Sequence, residues 1–252
     1  MKGTRWFDTA AIVVTIAVLV GLGFVLRPQP SPTIRVAPSS AHVDRPQLAA
    51  KTGPSALFIG DSYTRGYVKE MSYVCLAATQ MGWVCNLSAV GSTGYLAGGP
   101  ANRFDIDEGI GQSTSFAERI PKLAQTYQPD MVFLDGGRND LDLPRDDVYD
   151  AMIWTIAGVR SAWPTAKIYF IRPRILPRPG DDLGFDDEFI ARLRADPAAQ
   201  DVVVLDPIVR LTDTDTSALL LSDEFHPNQR GQQALSSALV DSLLAEGFAL
   251  RT

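Results

Sequence analysis

The chain has little histidine: among 252 residues there are two, His42 and His226. It has equally little cysteine, Cys75 and Cys85. Two cysteines cannot complete a zinc site by themselves, and histidines to help them are lacking. Neither a metal nor another cofactor is therefore expected. Runs of Lys or Arg are missing from the main part of the chain. Of the formal net charge of −6, residues 1–50 hold +3 (five Lys/Arg against Asp8 and Asp44), which leaves −9 for residues 51–252. Such an acidic domain argues against a nucleic-acid partner, because phosphates demand a basic face. No internal repeat is visible.

What is present is a core. The composition is 46% hydrophobic and 21% charged, and the length leaves room for one substantial domain plus appendages. The appendages are N-terminal. Residues 9–26 form an uncharged apolar run of 18; as a helix it would span roughly 27 Å, enough for a bilayer's hydrocarbon core. Lys2 and Arg5 precede it, and Trp6 and Phe7 sit where an interfacial belt is expected. A cleavable signal peptide usually has an apolar region of about 7–15 residues that ends in a small-x-small site. Here the run is longer and stops at Leu26-Arg27-Pro28, so an uncleaved anchor is favoured. The expectation is a cytoplasmic stub and transmembrane span over 1–27, with the remaining chain extracytoplasmic. Prolines at 28, 30, 32, 38 and 46 make 28–52 an extended spacer. Outside the cytoplasm Cys75 and Cys85 could pair; two small buried apolar side chains are the equal alternative.

From residue 53 onward, short apolar strands alternate with helices. Strands are predicted over 56–60, 83–87, 131–134, 167–171 and 202–205. Helices are predicted over 65–81, 115–127, 144–162, 185–194 and 229–245. Ser115 and Glu118 supply a capping box for the second helix; Pro144 with Asp146 and Asp147 opens the third. Residues 91–112 hold six glycines and read as loop; its part from Ser92 to Gln112, with Tyr95, Asn102, Arg103 and Phe104, borders the predicted site as a candidate substrate-recognition wall. Five apolar strands separated by helices imply a parallel sheet covered on both faces, an α/β architecture with three α/β/α layers. Active sites of such folds lie beyond the carboxyl ends of the strands.

Ser62 follows a strand and Gly60-Asp61 at the start of a helix, where the hydroxyl is exposed and negative charge is favoured. Asp223 and His226 are three apart, a spacing that places both on one side of a helical turn. The acid can fix the imidazole tautomer and leave the other nitrogen as general base. Since His42 lies in the spacer, serine-type chemistry can use only His226. Asn139, in Gly137-Arg138-Asn139-Asp140, can donate to an oxyanion, as can the backbone N–H groups of Ser62 and Gly91. Asp140 reads as support for its loop, and Trp154 and Trp163 as helix packing.

These residues resemble the SGNH (GDSL-type) hydrolase superfamily over about 54–246. Gly60-Asp61-Ser62-Tyr63 matches its first block, with Tyr63 where many members have Leu. Gly91 fits the second block, Gly137-Arg138-Asn139-Asp140 the third, and Asp223-Glu224-Phe225-His226-Pro227-Asn228 the last, with Glu224 where Gly is frequent. The resemblance implies a flavodoxin-like fold and a metal-free esterase, lipase or acyltransferase. The expected catalytic residues are Ser62, Asp223 and His226; the expected oxyanion hole is Ser62, Gly91 and Asn139. An anchored, outward-facing domain suggests glycan or lipid esters of the cell envelope, with the membrane engaged through residues 9–26. A tethered binding module with vestigial residues is the alternative from another class.

Overall fold

A computed structural model describes residues 53–106 and 111–250. The anchor and spacer expected at 1–52 lie outside the described residues. Among the described residues no helix is long and apolar enough to cross a membrane.

The main sheet has five strands: β1 (Ser55–Gly60), β2 (Val84–Ala89), β5 (Met131–Asp135), β6 (Lys167–Ile171) and β7 (Val203–Leu205). Their spatial order is β2-β1-β5-β6-β7, and every neighbouring pair is parallel. Counted within this sheet alone, the order is the flavodoxin-like 2-1-3-4-5. Between β2 and β5 the chain adds a small antiparallel hairpin, β3 (Asp105–Ile106) and β4 (Gly111–Gln112). The glycine-rich 91–112 region is thus partly ordered as β structure and not wholly loop.

Alternation along the strands splits the core into two. Ala56, Phe58, Met131, Phe133, Tyr169 and Ile171 face one cluster; Leu57, Ile59, Val132, Leu134, Ile168 and Phe170 face the other. Both faces of a parallel sheet need covering, which is why these strands read as unbroken apolar runs. The first cluster is covered by α2 (Tyr73–Gln80) and α6 (Gln229–Ala245). The second is covered by α3 (Phe116–Thr126), α4 (Arg145–Ala162) and α5 (Asp187–Ala195). Ser115 and Glu118 form the expected reciprocal cap of α3.

The helix predicted over 65–81 is instead broken into three. α1 (Ser62–Arg65) is one turn long, a 3-10 turn covers Lys69–Met71, and α2 follows. Gly66 causes the break: its φ is +62°, and a Cβ there would lie 2.9 Å from Ser72 Cα. The Ser72 hydroxyl donates to the Thr64 carbonyl at 2.7 Å and pins the reversal. Cys75 on α2 and Cys85 on β2 form a disulfide, with Cα atoms 5.3 Å apart. That decides between the two readings left open by the sequence. Trp163 is buried, and its indole N–H donates to the Tyr127 carbonyl. Trp154, by contrast, is 73% exposed, so the packing role expected for it is not found; its side of α4 faces water.

Candidate active site

The register of the sheet brings the sequence landmarks together. Gly60 at the end of β1 pairs with Ala89 of β2 on one side and Asp135 of β5 on the other. Three adjacent strands therefore deliver Ser62, Gly91 and Asn139 to one rim. α1 starts with Asp61 as its N-cap, whose side chain accepts from the Tyr63 N–H while Thr64 closes the capping box. Gly91 lies beside the serine: a Cβ on it would be 3.7 Å from Ser62 Cβ and 3.8 Å from Arg65 Nη1. Among the described residues neither the Ser62 nor the Gly91 N–H donates to a protein acceptor. Asn139 sits in a 3-10 turn, Arg138–Asp140, and its amide donates to the Thr93 carbonyl at 2.9 Å. That bond holds Asn139 to the Gly91 loop and leaves its second N–H unused by it.

His226 closes the site from the other end of the chain. Its Nε2 is 2.9 Å from Ser62 Oγ, and its Nδ1 is 2.7 Å from Asp223 Oδ2. With the proton on Nδ1, Asp223 accepts from the ring and Nε2 accepts the serine hydroxyl. Asp223 and His226 do not lie on a helix, as their spacing suggested. Asp223 Oδ1 accepts from the Phe225 and His226 N–H groups, making a side-chain-closed turn, and Glu224 within it has φ +56°. A short acid that bonds its own backbone favours such a turn over a helix. These bonds hold the Asp223 carboxyl down at about 2, the His226 ring bond being the largest cause.

Beneath the serine lies a buried polar network that the sequence reading did not anticipate. Arg138 bonds both Asp135 and Asp61, at 3.1 and 3.2 Å, and stacks its guanidinium 4.6 Å from the Tyr63 ring centroid. Asp135 Oδ2 also accepts from Thr64 and from Tyr73, at 2.6 and 2.5 Å. Burial raises the Asp61 carboxyl above its ordinary value against the pull of Arg138. Burial alone would lower Arg138, but the two carboxylates hold it above its ordinary value. Buried charges of this kind persist only when paired and hydrogen-bonded. Arg119, also buried, donates to the carbonyls of Gly60, Ser88 and Thr114 and to the Thr93 hydroxyl, gathering the ends of β1 and β2. Asp140 accepts from the N–H groups of Tyr95, Leu96 and Ala97, the supporting role expected of it. Only residue type and the place of Arg138 and Asp61 inside the matched blocks hinted at any of this.

A pocket of about 170 Å³ opens beside the serine, lined by Ser62, Arg65, Gly66, Tyr67, Leu221 and His226 among others.

A serine, imidazole and carboxylate in hydrogen-bonded series, at the carboxyl rim of a parallel sheet, define a serine hydrolase type of site. The GDSL-like Lipase/Acylhydrolase family profile matches residues 58–234. The chain belongs to that family, and is a carboxylic ester hydrolase. Among solved structures it is similar to the psychrotrophic esterase EstA from a Pseudoalteromonas species: 18% identity, 76% of this chain, 97% of that one, TM-score 0.56. It is similar also to family two carbohydrate esterases. That from Clostridium thermocellum gives 18% identity over 78% of this chain and 65% of that one, TM-score 0.56. That from Cellvibrio japonicus gives 18% over 76% and 61%, also with TM-score 0.56. The chain thus spans less than two thirds of the length of either carbohydrate esterase. At such identities the likeness establishes the shared fold. No curated protein matches the chain by sequence.

Proposed function

We propose that the protein hydrolyses short-chain carboxylic esters of cell-envelope glycans or lipids through an acyl-enzyme on Ser62. His226 takes the Ser62 proton as the hydroxyl attacks the ester carbonyl, and Asp223 stabilises the imidazolium that forms. The Ser62 and Gly91 N–H groups and the Asn139 amide receive the oxyanion. His226 then returns the proton to the leaving alcohol, and water releases the acid. The observation that carries this reading is the unbroken series Asp223–His226–Ser62, at 2.7 and 2.9 Å. A pocket of 170 Å³ supports a short acyl group, being well below the usual size of sites for larger ligands. The Cys75–Cys85 bond supports an oxidising, extracytoplasmic location, and the apolar run at 9–26 supports the anchor.

The test is labelling of the full-length chain with a fluorophosphonate, together with p-nitrophenyl acetate turnover. An adduct on the wild type that disappears in Ser62→Ala, with turnover lost in parallel, is the expected result. Turnover that survives Ser62→Ala would sink the proposal, and no adduct with no turnover would favour a binding module. Acylated sugar in place of free acid, when candidate sugars are added, would turn the reading to an acyltransferase using the same residues.

A further inference from the structure

Arg65 has no part in the acyl-transfer steps, yet the fold aims it at the reacting centre. Ser62 and Arg65 stand three apart on α1, so their side chains leave one face of a single helical turn. Since Ser62 faces His226, Arg65 faces the same cleft. Its Nη1 and the Ser62 Cβ both lie within 4 Å of the point where a Cβ on Gly91 would sit, and Arg65 lines the pocket with Ser62 and His226. The placement is rigid at the backbone, because the Arg65 N–H donates to the Asp61 carbonyl at 3.0 Å and Gly66 ends the turn at once. Eight other arginines pair with carboxylates; Arg65 pairs with none among the described residues. In a domain of net charge −9 over residues 51–252, an exposed guanidinium left without an acid beside the nucleophile is available to a ligand's anion.

We propose that Arg65 makes this site selective for esters that carry an anionic group, a carboxylate or phosphate, close to the scissile carbonyl. The guanidinium binds that group by charge-assisted hydrogen bonds while Ser62 attacks. The proposal rests on the reading of Ser62 as nucleophile, and its test separates the two.

Three esters are compared on the full-length protein. They are p-nitrophenyl acetate, which is neutral; 3-acetoxybenzoate, with the anion on the alcohol side; and p-nitrophenyl hemisuccinate, with the anion on the acyl side. The readout is the ratio of kcat/KM for each anionic ester to that for the neutral one, in which any loss of active protein cancels. Arg65→Gln should lower the ratio by about 10–100-fold for whichever anionic ester places its charge at the guanidinium. Arg65→Lys should restore part of it, and added salt should erode the wild-type ratio. Ratios for both anionic esters that are unchanged in Arg65→Gln overturn the proposal, including the case in which all three rates fall together. Calorimetric binding of 3-hydroxybenzoate and succinate reads the same contact without turnover. Affinity for either that is lost in Arg65→Gln supports it, and equal affinity for both overturns it. A chain that never turns over p-nitrophenyl acetate would therefore defeat the nucleophile reading while calorimetry still decides the anion contact.

Discussion

The Tyr63 hydroxyl donates to the Phe225 carbonyl at 2.6 Å, across 162 residues of chain, and accepts from the Leu176 N–H at 3.2 Å. The residue after the nucleophile thus holds the residue before the general base. Burial pushes the Tyr63 phenol up to about 12, so it stays a donor throughout the working range. The Tyr63 and Phe225 rings also meet edge to face at 5.6 Å, a contact that needs no hydroxyl. Tyr63→Phe therefore removes the bond and keeps the packing. Two backbone groups lose their partner, at a cost of about 1–3 kcal/mol in stability. Turnover should fall about 10-fold as the His226 loop loosens, with KM little changed, an effect of misplaced geometry. Denaturant unfolding and steady-state kinetics check both; a variant with wild-type kcat would show that the ring packing alone positions His226.

Asp223→Asn separates orientation from charge. An asparagine oxygen still accepts the Phe225 and His226 N–H groups, so the turn survives. Its amide cannot accept from Nδ1–H, and the imidazole is driven to the tautomer that cannot take the Ser62 proton. Turnover should fall about 10²–10⁴-fold. Circular dichroism should show the fold unchanged; a loss under 10-fold would mean the carboxylate is not the orienting group.

The same carboxylate gives an acid signature. Its pKa is about 2 in the folded chain against an ordinary 3.8, because His226 and two backbone N–H groups bond the ionised form. The folded value is the lower one, so its contribution to stability is complete above pH 3.8 and fades as the pH falls toward 2. In acid unfolding followed by fluorescence, the advantage of wild type over Asp223→Asn should shrink across that window. A gap that stays constant there would contradict the assignment.

Much of this arrangement was legible in the chain, and the limits have physical causes. The central strands were readable because a doubly covered parallel sheet demands unbroken apolar runs, and strand 167–171 and helix 229–245 fall where the pattern put them. Ser62, Gly91, Asn139, Asp223 and His226 were readable because each sits at a strand end or turn where glycine and short polar residues cluster. The break at Gly66 was not, since a lone glycine inside a helical pattern is often tolerated, and the close approach to Ser72 that accompanies its +62° φ is set by the folded chain. Nor was the Asp61–Arg138–Asp135 network, whose members are polar residues paired only by the sheet. Nothing in the sequence singles out Arg119, because most of its partners come from segments that only the fold brings to it. Asp223 and His226 suggested a helical turn because three-residue spacing fits one; side-chain bonds to the backbone gave the same proximity by another route.

The disulfide makes a local wager on stability. It closes a loop with a sequence separation of 10 between α2 and β2. Chain-entropy arguments give such a loop about 2–3 kcal/mol, chiefly through the unfolded state. The double variant Cys75→Ser, Cys85→Ser should lose that much in denaturant unfolding yet keep turnover, since neither cysteine lines the pocket beside Ser62. Loss of turnover at temperatures where the variant remains folded would mean that the bridge also positions α1.

Glu224 offers the sharpest local test of the His226 turn. Its φ of +56° is the left-handed conformation, which disfavours a residue with a Cβ by roughly 1–2 kcal/mol. Glycine adopts it freely but gives up roughly 0.5–1 kcal/mol of unfolded-state entropy. The two nearly offset, with a small balance in favour of glycine. Glu224→Gly should therefore match wild type or exceed it by up to about 1 kcal/mol, with turnover retained. Valine, branched at Cβ, cannot relax into that conformation. Glu224→Val should lose at least about 1 kcal/mol and lower kcat as well, because the bond from the Glu224 N–H to the Leu221 carbonyl, at 3.0 Å, shares this turn with both Asp223 and His226. Thermal unfolding and kcat of the pair should order as Gly at or above Glu, then Val. A valine variant as stable and active as the glycine one would mean that the turn does not impose the left-handed backbone in solution, and that Asp223 reaches His226 by a different path.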